Sequence, residues 1–244
     1  MKRLGMLALT WSVTLSLATA LLLVSSPGAQ AAKAGTGSWG SYLWPTTETC
    51  TYTGESSGST STDIVRSGSK ATLVSLGYPS TYKIAGSSLR YTHVSSWGST
   101  DIAIREAFAA RYPSPTSLAH RAHGSATWVT TFRYSKKAAK SEGKKYLTSG
   151  RKITITGRYR IVGLGTRTIS VGGQNVKAVG AKTVLTSVKV AHAKAKWKRR
   201  IANQFRPLYK IHNTTEWWAP GLGQVSLTLR AVEGSPTRTL VSCS

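Results

Sequence analysis

A chain of 244 residues with 33 Lys and Arg against 8 Asp and Glu, net +25, is long enough for one domain with a real core or for two small ones. So few carboxylates weigh against paired acid–base catalysis. Past the N-terminus no segment is apolar enough to cross a membrane as a helix.

The first element is a leader. Lys2 and Arg3 precede a mostly apolar run from Leu4 to Val24, followed by Pro27 and by Ala29-Gln30-Ala31. This is the order of a secretory signal peptide over residues 1–31, cut between Ala31 and Ala32. Pro27 and the small-residue site favour cleavage over retention as an anchor, and no cysteine follows to carry a lipid. Removing residues 1–31 leaves 31 basic and 8 acidic side chains, net +23.

Residues 32–47 are expected to be a flexible segment, and residues 48–244 a single antiparallel β domain. Gly35 to Gly40 spells G-x-G-x-x-G, but it follows no strand and opens no helix, so it is not a dinucleotide fingerprint. Gly54 to Gly58 spells G-x-S-x-G. Ser59-Thr60-Ser61-Thr62 is a poor helix start, which makes this a polar turn and not a nucleophile elbow. Cys50 and Cys243, near opposite ends of the exported chain, are expected to form a disulfide that ties the last strand to the first. Closing so long a loop stabilises by about 4–5 kcal/mol in the chain-entropy model.

Asp101 to Tyr112 reads equally as a short helix or a strand. His120 and His123 form H-x-x-H without the neighbouring carboxylate or cysteine a metal site would need, and no metal or cofactor is expected. His93, His192 and His212 are isolated, and no catalytic residue is assigned.

From there, alternation with a period of two dominates. Ala126, Trp128, Phe132 and Tyr134 share one parity, as do Ile153, Ile155, Tyr159 and Ile161. So do Val176, Ala178, Val184, Val188 and Val190, and then Val225, Leu227, Leu229 and Ala231. One apolar and one polar face per strand is the pattern of antiparallel sheets. Gly172-Gly173 suits a two-residue hairpin, and Pro220-Gly221 the centre of a type II turn. The expected fold class is all-β, a curved antiparallel sheet or half-barrel with little helix.

His192 to Arg206 stays open between helix and strand. As a helix it places Ala193, Trp197, Ile201 and Phe205 on one stripe opposite Lys and Arg, a basic amphipathic helix of the membrane-surface kind. As a strand it puts Lys194, Lys196, Lys198 and Arg200 on one face. Residues 32–130 carry 8 basic and 5 acidic side chains, net +3, whereas residues 131–244 carry 23 and 3, net +20. Such a field attracts polyanions. The candidate anion- or membrane-binding residues are Lys194, Lys196, Trp197, Lys198, Arg199 and Arg200. Basic residues interleaved with an aromatic are also a nucleic-acid footprint, but export and the lack of a recognised motif argue against a specific nucleic-acid partner.

Gly165 to Gly173 (GTRTISVGG), Val176 to Val179 (VKAV) and Trp217 to Val225 (WWAPGLGQV) resemble a pattern in a group of exported bacterial β-rich proteins and lipoproteins. These are distantly similar to the LolA/LppX-like half-barrels that carry acyl chains. The resemblance covers about residues 125–232 and implies a concave apolar face able to hold a small apolar ligand. It brings no catalytic residues.

The expected function is that of a secreted, non-catalytic, cell-envelope-associated binding protein. Its basic surface would engage anionic wall polymer or lipid head groups. The alternatives are a secreted hydrolase with an unrecognised Ser/His site and a structural surface protein without a ligand.

Overall fold

A sheet with one apolar face can hide it by curling on itself, and here the curl goes to completion. The computed structural model describes residues 34–35, 37–54, 58–75, 78–148, 150–230 and 237–244. The expected signal peptide with its expected cleavage between Ala31 and Ala32, residues 55–57 of the G-x-S-x-G segment, and Ala231 lie outside that set.

Among the described residues twelve strands form one closed antiparallel barrel. They are β1 (Glu48–Gly54), β2 (Gly58–Ser67), β3 (Lys70–Ser75), β4 (Tyr78–Ala85), β5 (Ser88–Gly98) and β6 (Ile102–Tyr112). They continue as β7 (His123–Tyr134), β8 (Lys152–Val171), β9 (Gln174–Ala191), β10 (Thr214–Ala219), β11 (Gly223–Leu229) and β12 (Thr237–Cys243). Each strand pairs with its sequence neighbours, and β12 pairs with β1. The expected half-barrel is therefore corrected to a closed barrel. Cys50 and Cys243, opposite each other in the β1–β12 ladder, form the disulfide that fastens the seam.

Asp101 to Tyr112 resolves as a strand, because Phe108, Ala110 and Tyr112 alternate inward against β5 and β7. The single parity expected through Val190 does not hold. Ser187 pairs with Arg158 but Leu185 pairs with Tyr159, so Thr186 bulges out and the inward face changes parity. Pro220-Gly221 makes the expected turn: Gly221 has φ +73° and the Leu222 N–H donates to the Ala219 carbonyl at 3.2 Å.

The outward face is polar. Lys83, Arg90, Arg105, Arg158 and Arg160 stand exposed on it, where a lipid-embedded barrel would carry an apolar band. Among the described residues no helix is long and apolar enough to cross a membrane.

Both ends of the barrel are stopped by the chain itself. At one end Trp39, Tyr42, Leu43 and Trp44, expected within a flexible segment, are instead core. Trp39 and Trp44 meet Trp218 edge-on at 5.5 and 5.7 Å, and the Trp39 indole donates to the Pro113 carbonyl at 2.8 Å. The aromatic side chains outweigh the Gly/Ser composition around them, since each ring removes on the order of 150–250 Å² from water. Gly223 makes room: φ is +72° and a Cβ there would collide with the Trp44 indole.

Candidate functional site: the basic end of the barrel

The second end is where charge collects, and topology explains why. Strands alternate in direction, so β7 finishes, β8 starts and β9 finishes at the same end. The β6–β7 connection holds α1 (Pro115–Ala119), and the β7–β8 connection is α2 (Lys136–Ala138), a π turn (Ala139–Gly143) and α3 (Lys144–Tyr146). After β9 comes α4 (Ala195–Lys210), which decides the open region in favour of a helix.

The α4 stripe expected from the sequence is present, but it is turned inward. Phe205 packs edge-on against Phe132 at 5.6 Å, and Ile201 joins the core. Tyr209 is buried: its hydroxyl donates to the Ile155 carbonyl at 3.1 Å and lies 2.8 Å from Thr130 Oγ1, and its own carbonyl accepts from the Tyr159 hydroxyl at 2.9 Å. Gly157 allows this approach, because a Cβ there would lie 2.6 Å from the Tyr209 ring. Pro207 removes one helical N–H, yet the helix continues to Lys210, held by the Tyr209 anchor three bonds deep. An apolar face spent on the barrel is not available to a bilayer.

The start of α4 is tethered as well. Leu147 bridges to Ala193, and the Lys194 N–H donates to the Tyr146 carbonyl at 2.8 Å. Trp197 is half-buried with its ring 5.0 Å from Tyr146, and Lys145 and Arg200 each lie 5.3 Å from its centroid. Trp197 thus organises two cations over its ring.

The remaining candidates face solvent. Lys196, Lys198, Arg199 and Arg200 are exposed and Lys194 half-exposed. Lys196, Arg199 and Arg200 line a shallow depression with Asn203 and Gln204. The neighbours of this segment were not legible in the sequence. Lys136, Lys137, Lys140 and Lys145 stand exposed on the β7–β8 connection. Arg133, Arg151, Lys152 and His192 line an open groove with Ser99 and Ser135. The signal was present as the +20 of the second half, but only strand direction brings positions 133, 152 and 192 together. The arrangement offers many flexible donors over a broad area. That suits repeated phosphate or carboxylate groups and gives no single nucleophile or acid–base pair.

Ser80 Oγ lies 3.3 Å from His93 Nδ1, a pair not visible in the sequence. The same Nδ1 lies 3.1 Å from the Pro79 carbonyl, which can only accept, so Nδ1 carries the proton and is no base for Ser80. His120 Nδ1 is occupied by the Thr116 carbonyl at 2.8 Å. Among the described residues the one metal-like grouping is Glu48, Cys50 and Cys243, whose sulfurs are committed to the disulfide.

Inside the barrel sits a buried carboxyl, Glu216 on β10. It accepts from Tyr112 at 2.9 and 3.1 Å, from Thr214 at 2.8 Å and from Gln224 at 3.0 Å. Burial pushes its pKa up, and these hydrogen bonds pull it only partly back. His212, just past α4, stacks on Trp128 at 3.6 Å, and burial with nearby His93 pushes its pKa down to about 4. Comparison with protein-family models, curated proteins and solved structures finds no match to this chain.

Proposed function

We propose that this chain is an exported, non-catalytic binding protein that attaches to anionic phosphodiester polymers of the cell envelope through the basic end of its barrel. The observation that carries this reading is the gathering of exposed cations from β7, the β7–β8 connection, β8 and α4 onto one end. A field of one sign over such an area draws polyanions from solution, and binding weakens steeply with salt as counterions are released. Docking of the α4 apolar stripe favours a water-soluble polymer over lipid, because adhesion without an apolar face to insert depends on head-group charge alone. The disulfide and the polar outer wall fit a soluble life in an oxidising compartment.

The test is binding of the folded protein to a polyglycerol-phosphate polymer and to anionic vesicles across a salt series. Saturable polymer binding with a steep salt slope supports the reading. Stronger binding to vesicles, retained at high salt, would replace it with a membrane role. Binding to neither would end it.

A further inference from the structure

The barrel is not filled to its centre. Between the aromatic plug and α4 lies a cavity of about 200 Å³ walled by Tyr82, Tyr91, Phe108, Tyr112, Trp128 and Glu216. His212 and Ile211, where α4 ends, form another part of the wall, and Ile211 is 43% exposed, so the cavity meets solvent there. A cavity of about 150 Å³ already accommodates benzene. This one fits a ligand only somewhat larger.

Its chemistry is one-sided: five aromatic rings surround one carboxyl. Among the described residues, none of the groups that hydrogen-bond Glu216 is positively charged. An ionised carboxylate withdrawn from water without a cation costs several kcal/mol. The C-terminus of α4 adds partial negative charge at the same wall. The basic side chain there, His212, is neutral at physiological pH. In a protein of net +25 the cavity is therefore a small region of opposite character.

We propose that this cavity is a binding site for a small organic cation of the quaternary-ammonium class, held by cation–π contact with Tyr82, Tyr91, Phe108, Tyr112 and Trp128 and neutralised by Glu216. The existing hydrogen bonds select among cations. Both Glu216 oxygens already accept from Tyr112, Thr214 and Gln224, so a primary ammonium would find too few acceptors for its three N–H groups. A methylated ammonium needs none and keeps apolar contact with the rings. A hard metal ion is a poor fit, because one carboxyl falls far short of six oxygen ligands. The cavity lies inside the barrel and the polyanion surface outside it, so either assignment can fail alone.

The experiment is titration of the folded, disulfide-bonded protein with choline and with its uncharged carbon isostere 3,3-dimethylbutan-1-ol, followed by calorimetry and ligand-observed NMR. Saturable binding of the cation, tighter than the neutral compound by about tenfold, is expected. Glu216→Gln should abolish that preference. Should Glu216→Gln fail to fold, Trp128→Leu serves instead and should weaken the cation while sparing the neutral compound. Equal binding of both compounds to the unsubstituted protein, or binding of neither, overturns the proposal.

Discussion

Tyr209 is the position at which the docking of α4 is most open to attack. Its hydroxyl meets two buried groups, donating to the Ile155 carbonyl and lying against Thr130 Oγ1, and the whole residue is 3% exposed. Tyr209→Phe keeps the ring against Gly157 and leaves those groups without their partner, a cost of about 1–3 kcal/mol. Tyr209→Ala also empties the ring's volume, for about 3–5 kcal/mol by analogy with other buried aromatics. In a chain of this size each kcal/mol lowers Tm by about 2–4 °C. Thermal unfolding followed by circular dichroism reads both variants. The neighbouring Leu208, 55% exposed, supplies the control, and Leu208→Ala should stay within about 0.5 kcal/mol of the parent. If Tyr209→Ala is as mild as Leu208→Ala, α4 is not docked, its apolar stripe is free, and the argument against membrane insertion falls.

Replacing Cys50 and Cys243 with Ser should cost about 5 kcal/mol for a separation of 193 residues, read as a lowered denaturation midpoint that reducing agent does not lower further. Trp39→Ala should cost about 3–5 kcal/mol by opening the plug against Trp218 and Tyr112, and unchanged stability would show that the N-terminal segment is not core. His212 predicts an acid sensitivity. Its folded pKa of about 4 lies below the ordinary 6.5, so the unfolded chain takes up the proton first, and stability falls by up to about 3 kcal/mol as pH drops from 6.5 to 4. Glu216 acts in the opposite sense, its raised pKa adding stability as pH falls toward 4.5. His212→Asn should therefore leave a shallower acid loss in pH-dependent unfolding, and an unchanged profile would contradict the assignment.

Strands were legible where one face had to be buried, as at Ile153, Ile155, Tyr159 and Ile161, because period two is imposed locally by the pleat. The bulge at Thr186 was not legible, since a register shift depends on the facing strand. Closure was also hidden. The disulfide named the pair Cys50 and Cys243, but whether their strands hydrogen-bond depends on how many strands lie between. The plug failed for a different reason: Gly and Ser around Trp39 and Trp44 speak of local freedom, while two buried indoles against Trp218 are a long-range gain. Of the basic site, Lys194 to Arg200 could be read from the sequence. Arg133, Arg151, Lys152 and His192 could not, because only antiparallel topology makes them neighbours. Glu216 looked like one of eight scattered carboxylates until the barrel placed it among rings.

Two charge-matched variants measure the central claim most directly. One replaces Lys196, Lys198, Arg199 and Arg200 with Gln, and the other replaces Lys70, Lys83, Arg90 and Arg105, four exposed cations on β3 to β6. Both lose four charges, so any effect of net charge alone is equal. Affinity for a glycerol-phosphate polymer, measured across a salt series, should fall and lose much of its salt slope in the first variant and change little in the second. Equal losses in both would mean that the protein binds through total charge and that its basic end is no site.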